Sequence, residues 1–196
     1  MTALAALIVA IFAEQIVGAR IGIAPGFGPE QRHLIAELMR LNLIATLIFS
    51  ISGLVIGGLQ ANQHFILPAL APSLYNIGMI FGALVLSPTE PYHIGGFPLP
   101  AFGYGVHGLV YGAILGAVLH LGIQIPGLIK YKFKWTPSIG LPDPDVREVL
   151  RIIVPRLLTM FAIQSMFIAR DNFASRLDQV GAISALTYGW MIMQVP

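Results

Sequence analysis

Apolar residues fall into six runs, separated by short stretches rich in Pro, Gly and charge. The first covers residues 3–23 and is apolar except for Glu14, Gln15 and Arg20. About 20 residues at about 1.5 Å each are enough to cross a hydrocarbon layer of about 30 Å, so a membrane helix is expected here. Ala24-Pro25-Gly26-Phe27-Gly28-Pro29 ends it. The second run begins near Glu30 and reaches Leu59. Its first turns carry Glu30, Arg32, Glu37 and Arg40 among apolar residues and are expected to lie in the membrane interface. From residue 41 to 59 its polar residues are small, and Gly53-x-x-x-Gly57 predicts close approach of a neighbouring backbone.

The third run, residues 65–86, carries Pro68, Pro72, Asn76 and a Gly78-x-x-x-Gly82 pair. A membrane helix tolerates such prolines where neighbouring helices or water re-satisfy the freed backbone, and a broken helix of this kind faces protein or a cavity. Prolines 88, 91, 98 and 100 deny regular structure to the next loop. The fourth run, 101–125, places Gly108, Gly112 and Gly116 four apart, a packing face, and Pro126 with Gly127 ends it. Residues 130–144 are the longest polar stretch. Asp145 reads as an N-cap, with Glu148 completing a capping box. The fifth run extends to about residue 177 and contains Pro155, which predicts a kink near residues 151–156. The sixth opens at Gly181 and reaches Pro196, too short to span fully. The expected fold is an all-α polytopic bundle with five full spans and a truncated sixth.

Composition agrees. Of 196 residues, 56% are hydrophobic and 10% charged, against about a quarter charged in a soluble domain, and mean hydropathy is +0.79. The bilayer is the expected solvent. Cysteine is absent, which excludes disulfides and thiol chemistry. A net charge of +2 gives no reason to expect nucleic acid. The first run lacks the basic start of a signal peptide. Lys130, Lys132 and Lys134 make their loop the cytoplasmic candidate, although Arg20, Arg32, Arg40, Arg170 and Arg176 nearly balance the opposite side.

Several polar residues are candidates for chemistry. Glu14 is the carboxylate in the centre of an apolar run. An intramembrane charge costs about 2.5–3.5 kcal/mol on insertion scales and is by default a functional hypothesis; the plainer reading is a protonated or Gln15-paired group facing the bundle. Arg156, next to Pro155, either reaches anionic head groups or anchors a helix end. Asn76 either bridges helices or lines a cavity. His107 and His120 lack the paired ligands that a metal site needs. There is no HExxH, no GxSxG and no P-loop. No catalytic residue, cofactor or metal is expected.

The stretch ANQHFILPALAPSLYNIGMIFGAL resembles the join between the fourth and fifth membrane helices of the MurJ (MviN) family of lipid II flippases. IAPGF resembles the end of that family's third helix, and HLGIQIP the end of its sixth. VREVLRIIVPRLL is similar to the start of its seventh, and GAISALTYGWMIMQVP to its eighth. The motifs cover essentially the whole chain in the family's order. The family belongs to the multidrug, oligosaccharidyl-lipid and polysaccharide exporter superfamily. The resemblance implies about the third to eighth helices of a fourteen-helix, two-lobe transporter of the bacterial inner membrane. Residues 1–128 would complete the first lobe, 129–144 would form a cytoplasmic inter-lobe loop, and 145–196 would begin the second lobe. The implied task is alternating-access transfer of an undecaprenyl-pyrophosphate-linked peptidoglycan precursor, without a cofactor. The implied partners are that precursor, membrane lipids, and cell-wall synthesis or division proteins. The family's usual cavity arginine falls on Met191, in a run that continues to Gln194. A thioether cannot neutralise a pyrophosphate. Arg170 would either restore a cavity cation or pair with a neighbouring acid at the interface. Other readings are an exporter of another polyprenyl-linked oligosaccharide and a degenerate, non-transporting interaction protein.

Overall fold

The computed structural model describes residues 2–131, 144–177 and 181–194. They form α1 (Thr2–Ile11), α2 (Ala13–Gly18), α3 (Pro29–Ala61), α4 (Ile66–Phe81), α5 (Val106–Gly122), α6 (Ile125–Lys130), α7 (Pro144–Ala174) and α8 (Ala182–Met193). A π-helical turn covers Gly82–Leu86, and a small hairpin joins β1 (His93–Ile94) to β2 (Phe97–Pro98). The fold is an all-α polytopic bundle. Pro29–Ala61, Ile66–Leu86, Val106–Lys130 and Val146–Ala174 are long and apolar enough to cross a membrane, whereas α1 and α8 are apolar but shorter.

The first apolar run departs from expectation. Phe12, at φ −92° and ψ 14°, interrupts it between α1 and α2, and Ala19 is already extended at ψ 151°. Residues 19–28 are then turns, so no single helix covers 3–23. The chain forms two compact units, Met1–Ile11 with Glu37–Lys134, and Phe12–Ala36 with Trp135–Pro196.

In the first unit α4 packs along α5 through glycine. A Cβ at Gly82 would lie 2.6 Å from Gly112 Cα, and one at Gly116 would lie 2.6 Å from Tyr75 O. Gly78 faces Gly116 at similarly close range. Backbones this close leave room for hydrogen alone, which is why small residues mark such crossings. Gly53 and Gly57 behave otherwise: nothing lies within 4 Å of a Cβ at either. α3 buries Ser52, Val55 and Leu59 instead, so the close approach expected at 53 and 57 is not made among the described residues.

The prolines of α4 do not break it. Pro68 lies in the first turn, where no helical acceptor awaits its missing N–H. Pro72 lies inside a helix that continues to Phe81. The departure comes later, in the π turn, where Ser87 N–H donates to Gly82 O at 2.9 Å. That wider turn lays Leu86 and Ser87 over Gly108, where a Cβ would meet Leu86 C at 2.6 Å. The carbonyls left at this end are taken up by Phe102, Gly103, Tyr104 and Gly105, whose N–H groups donate to Val85, Pro88, Leu86 and Ser87. The fourth helix therefore starts at Val106 rather than 101, because 102–105 act as donors to the preceding turn.

Three more expectations change. The 87–100 loop holds a hairpin, with His93 opposite Pro98 and Ile94 opposite Phe97. Gly95 and Gly96 have φ of 58° and 88°, the left-handed pair that a type I′ hairpin turn requires. Pro126 does not end the fourth helix, since it sits in the first turn of α6. α7 begins at Pro144, which places Asp145 inside the helix rather than at its cap. The cap position, with Lys132, Lys134 and Trp135, lies outside the described residues. Pro155 sits within α7 without ending it.

The two classes of glycine should separate on substitution. Gly112→Ala forces a methyl against Gly82 backbone and should destabilise by about 1–3 kcal/mol, the usual range for overpacking. Gly53→Ala enters open space and should be neutral or gain up to about 1 kcal/mol of helix propensity. Thermal melts of the detergent-solubilised protein would show the contrast; equal melting of the two variants would refute the packing account.

Candidate functional site

Two groups of buried polar residues stand out. In the first unit, Gln124 Nε2 donates to Ser52 Oγ at 2.6 Å and to His120 O at 2.8 Å, and Ser52 Oγ lies 2.8 Å from His120 Nδ1. Gln124 and Ser52 are fully buried and His120 nearly so. The group sits at the α5–α6 interruption. Gln124 N–H donates there to Leu121 O instead of continuing the α pattern, so its side chain supplies the donor that His120 O has lost. With both amide hydrogens engaged, the Ser52 hydroxyl hydrogen goes to Nδ1. Gln124 Oε1 stays buried without a hydrogen-bond partner among the described residues. Phe49 packs edge-on against both Tyr75 and His120, with centroids 5.1 and 5.0 Å away, which ties α3 to α4 and α5. This arrangement fastens three membrane segments and repairs a helix break.

In the second unit, the end of α7 grips the 19–28 turn. Asn172 Nδ2 donates to Gly22 O at 2.6 Å and to Arg20 O at 3.1 Å. Arg176 Nη2 donates to Arg20 O at 2.7 Å and to Asn172 Oδ1 at 2.8 Å. Gly26 N–H donates to Ser175 Oγ at 3.3 Å. A groove along α7 runs from Arg20 and Arg176 past Phe173, Ala169 and Ile168 to Phe161. Its chemistry, cations at one end and hydrocarbon along the rest, suits an anion carrying an apolar tail. A neighbouring groove lined by Phe27, Gln31, Ala174, Ser175 and Ile183 has no cation on its walls.

The residues singled out from sequence do not converge. Glu14 lies in the first turn of the short α2, beside the Phe12 interruption, rather than mid-way along a spanning helix. Its Oε1 is 3.9 Å from His33 Nε2, with both side chains more than half exposed, a geometry worth little. Asn76 is exposed on α4, away from the buried Ala71 and Gly78. Arg156 is exposed on α7, as are Met191 and Gln194 at the end of α8. Arg170 is held locally. Its Nε and Nη2 lie 2.8 and 2.7 Å from Asp171 Oδ1, and the guanidinium sits 5.0 Å from the Phe167 ring. Phe167 in turn meets Trp190 of α8 edge-on at 5.3 Å. Among the described residues no cluster of His, Asp and Glu is placed to hold a metal.

Sequence reasoning passed over Ser52, Gln124, Asn172, Ser175 and Arg176. A signal for the first group was present in His120-x-x-x-Gln124, one helical turn apart in an apolar segment just before Pro126. For Asn172 none existed, because its partners lie about 150 residues away.

The buried amide should matter more than the hydroxyl. Gln124→Leu leaves His120 O without a donor and should cost about 1–3 kcal/mol. Ser52→Ala should cost about 0.6 kcal/mol, the average for a hydrogen bond between membrane helices. Unfolding in detergent measures both; a Gln124→Leu protein as stable as the parent would overturn this reading of the α5–α6 break.

A sequence model described as Lipid II flippase MurJ matches residues 1–196. The Lipid II flippase MurJ of Burkholderia cenocepacia is 31% identical over 169 residues, covering 83% of this chain and 30% of that protein. The probable lipid II flippase MurJ of a Synechocystis species is 27% identical over 186 residues, covering 89% of this chain and 32% of the relative. That of Bdellovibrio bacteriovorus is 31% identical over 140 residues, covering 71% and 24%. The chain thus spans about a third of the length of the curated relatives it matches.

Proposed function

Because the chain belongs to the lipid II flippase MurJ family, we propose that it is part of a transporter moving a lipid-linked peptidoglycan precursor across the membrane by alternating access. It is a multi-pass protein of the bacterial inner membrane. The observation that carries the proposal is the match over the whole chain, on a bundle whose long helices are apolar enough to span. The groove along α7 supports it, since Arg20 and Arg176 stand at its end above an apolar track.

In this reading Arg20, at the end of the groove, and Arg156, about 24 Å along α7 and outside the groove's lining, meet the substrate's phosphates at different stages of transfer. Arg170 is matched by Asp171 and stacked on Phe167, so its charge is already answered. Membrane lipids, and cell-wall synthesis or division proteins, are the expected partners. Met191 favours a second reading, a non-transporting interaction protein, since the exposed thioether stands where the family pattern has a cation. An exporter of another polyprenyl-linked oligosaccharide would share the same chemistry at the phosphates.

The test is rescue of cells depleted of their own lipid II flippase by the full-length protein that carries this segment. The parent, Arg170→Ala and Glu14→Gln should all rescue. Arg20→Ala and Arg156→Ala should each lower precursor transfer about tenfold or more, the effect of losing one charge-assisted hydrogen bond. A parent protein that reaches the membrane normally and fails to rescue would leave the interaction-protein reading in its place.

A further inference from the structure

α7 has a peculiar distribution of contacts. From Pro144 to Asp171 no described side chain is buried; burial begins at Asn172 and continues at Ala174 and Ser175. The helix is held by its last turn. The partner there is the 19–28 turn, about 150 residues earlier. Asn172 and Arg176 take the carbonyls of Arg20 and Gly22, which lie outside any helix. Ser175 Oγ receives Gly26 N–H and donates its own hydrogen to Asn172 O. Gly26 fits so closely that a Cβ on it would overlap the Ser175 backbone and lie 2.9 Å from Arg176 Cα.

The chemistry of this joint is reversible. No carboxylate takes part, so breaking it exposes no unpaired ion couple. Its bonds to Arg20 O and Gly22 O run from side chains to main-chain carbonyls, and a hydrogen bond of this kind is weak in net terms. The joint lies at the C-terminal end of α7, which is long and apolar enough to cross a membrane, hence at the membrane face opposite Pro144. It also connects a turn from the first part of the chain with a helix that begins at Pro144.

We propose that Asn172, Ser175 and Arg176 form a latch that shuts this membrane face in one half of the transport cycle and releases the 19–28 turn in the other. The inference rests on the flippase reading and adds to it the residues that govern one of its two closures. Asn172 is a positioning residue: it gives both amide hydrogens to the turn and its oxygen to Arg176.

The experiment uses the full-length protein in intact cells, with Ala174→Cys as reporter. Ala174 is 4% exposed beside the joint, and this segment has no cysteine of its own. A membrane-impermeant maleimide added outside reads how often the face opens. Asn172→Ala removes the amide bonds, and Gly26→Ala wedges the joint from the other side. Asn172→Ala should raise the labelling rate about fivefold, the factor set by one net hydrogen bond, at unchanged membrane level and melting temperature, while precursor transfer falls, and Gly26→Ala should raise it at least as much. If Asn172→Ala does not reach the membrane, Gly26→Ala reads the same reporter. Unchanged labelling in the variants overturns the latch, and so does a rise that merely tracks a lowered melting temperature, which marks a fixed joint. Labelling that responds in a protein unable to rescue depleted cells keeps the latch and removes the flippase reading.

Discussion

Inside a bilayer, a backbone carbonyl that loses its helical donor has no water to replace it. The irregular points of this chain are shaped by that constraint. Where α5 gives way to α6, the side-chain amide of Gln124 serves His120 O. Where α4 widens into the π turn, the N–H groups of residues 102–105 serve the carbonyls of residues 85–88. Where the first apolar run stops being helical, Asn172 and Arg176 serve Arg20 O and Gly22 O. In each case the donor comes from a polar residue or a loop that composition alone would pass over.

Close packing follows a separate rule. Lipid tails are as apolar as leucine, so membrane helices gain little by hiding hydrocarbon from them. They gain by backbone approach, and α4 with α5 achieves it along Gly78, Gly82, Gly108, Gly112 and Gly116. A glycine pair is only half of such a crossing. Gly53 and Gly57 have the same spacing and no neighbour within 4 Å, because α3 turns its Ser52–Val55–Leu59 face inward instead. Ser52 brings the hydroxyl that His120 and Gln124 need, and the orientation of α3 meets that demand.

Charge is sparse and is handled by location. Arg170 is neutralised by the next residue and shielded by Phe167. Glu37 of α3 meets His107 of α5 at 3.3 Å, and Arg40 Nε donates to Ala10 O at 2.9 Å, fixing α1 on α3. Arg20, by contrast, stands beside hydrocarbon at the end of α7. Matched cations such as Arg170 thus lie apart from Arg20 at the groove's end.

The sequence by itself determined the class of fold. Apolar runs near membrane length and a tenth of residues charged leave a helical bundle in lipid as the stable solution, because helices satisfy their own backbone. It also determined the α4–α5 face, since Gly108, Gly112 and Gly116 recur at the helical period, and the motif order that marks the family. Only the tertiary structure decided which glycines pack, where helices are interrupted, and which polar residues answer those interruptions. Pro68, Pro72 and Pro126 are potential breakers locally, yet two lie in first turns and one within a continuing helix. Phe12 and the π turn break regularity without any sequence flag. The reason is that a local pattern reports what a residue prefers, whereas an orphaned carbonyl is satisfied by whatever donor the fold brings to it. Asn172 is 150 residues from Gly22, and no periodicity reaches that far.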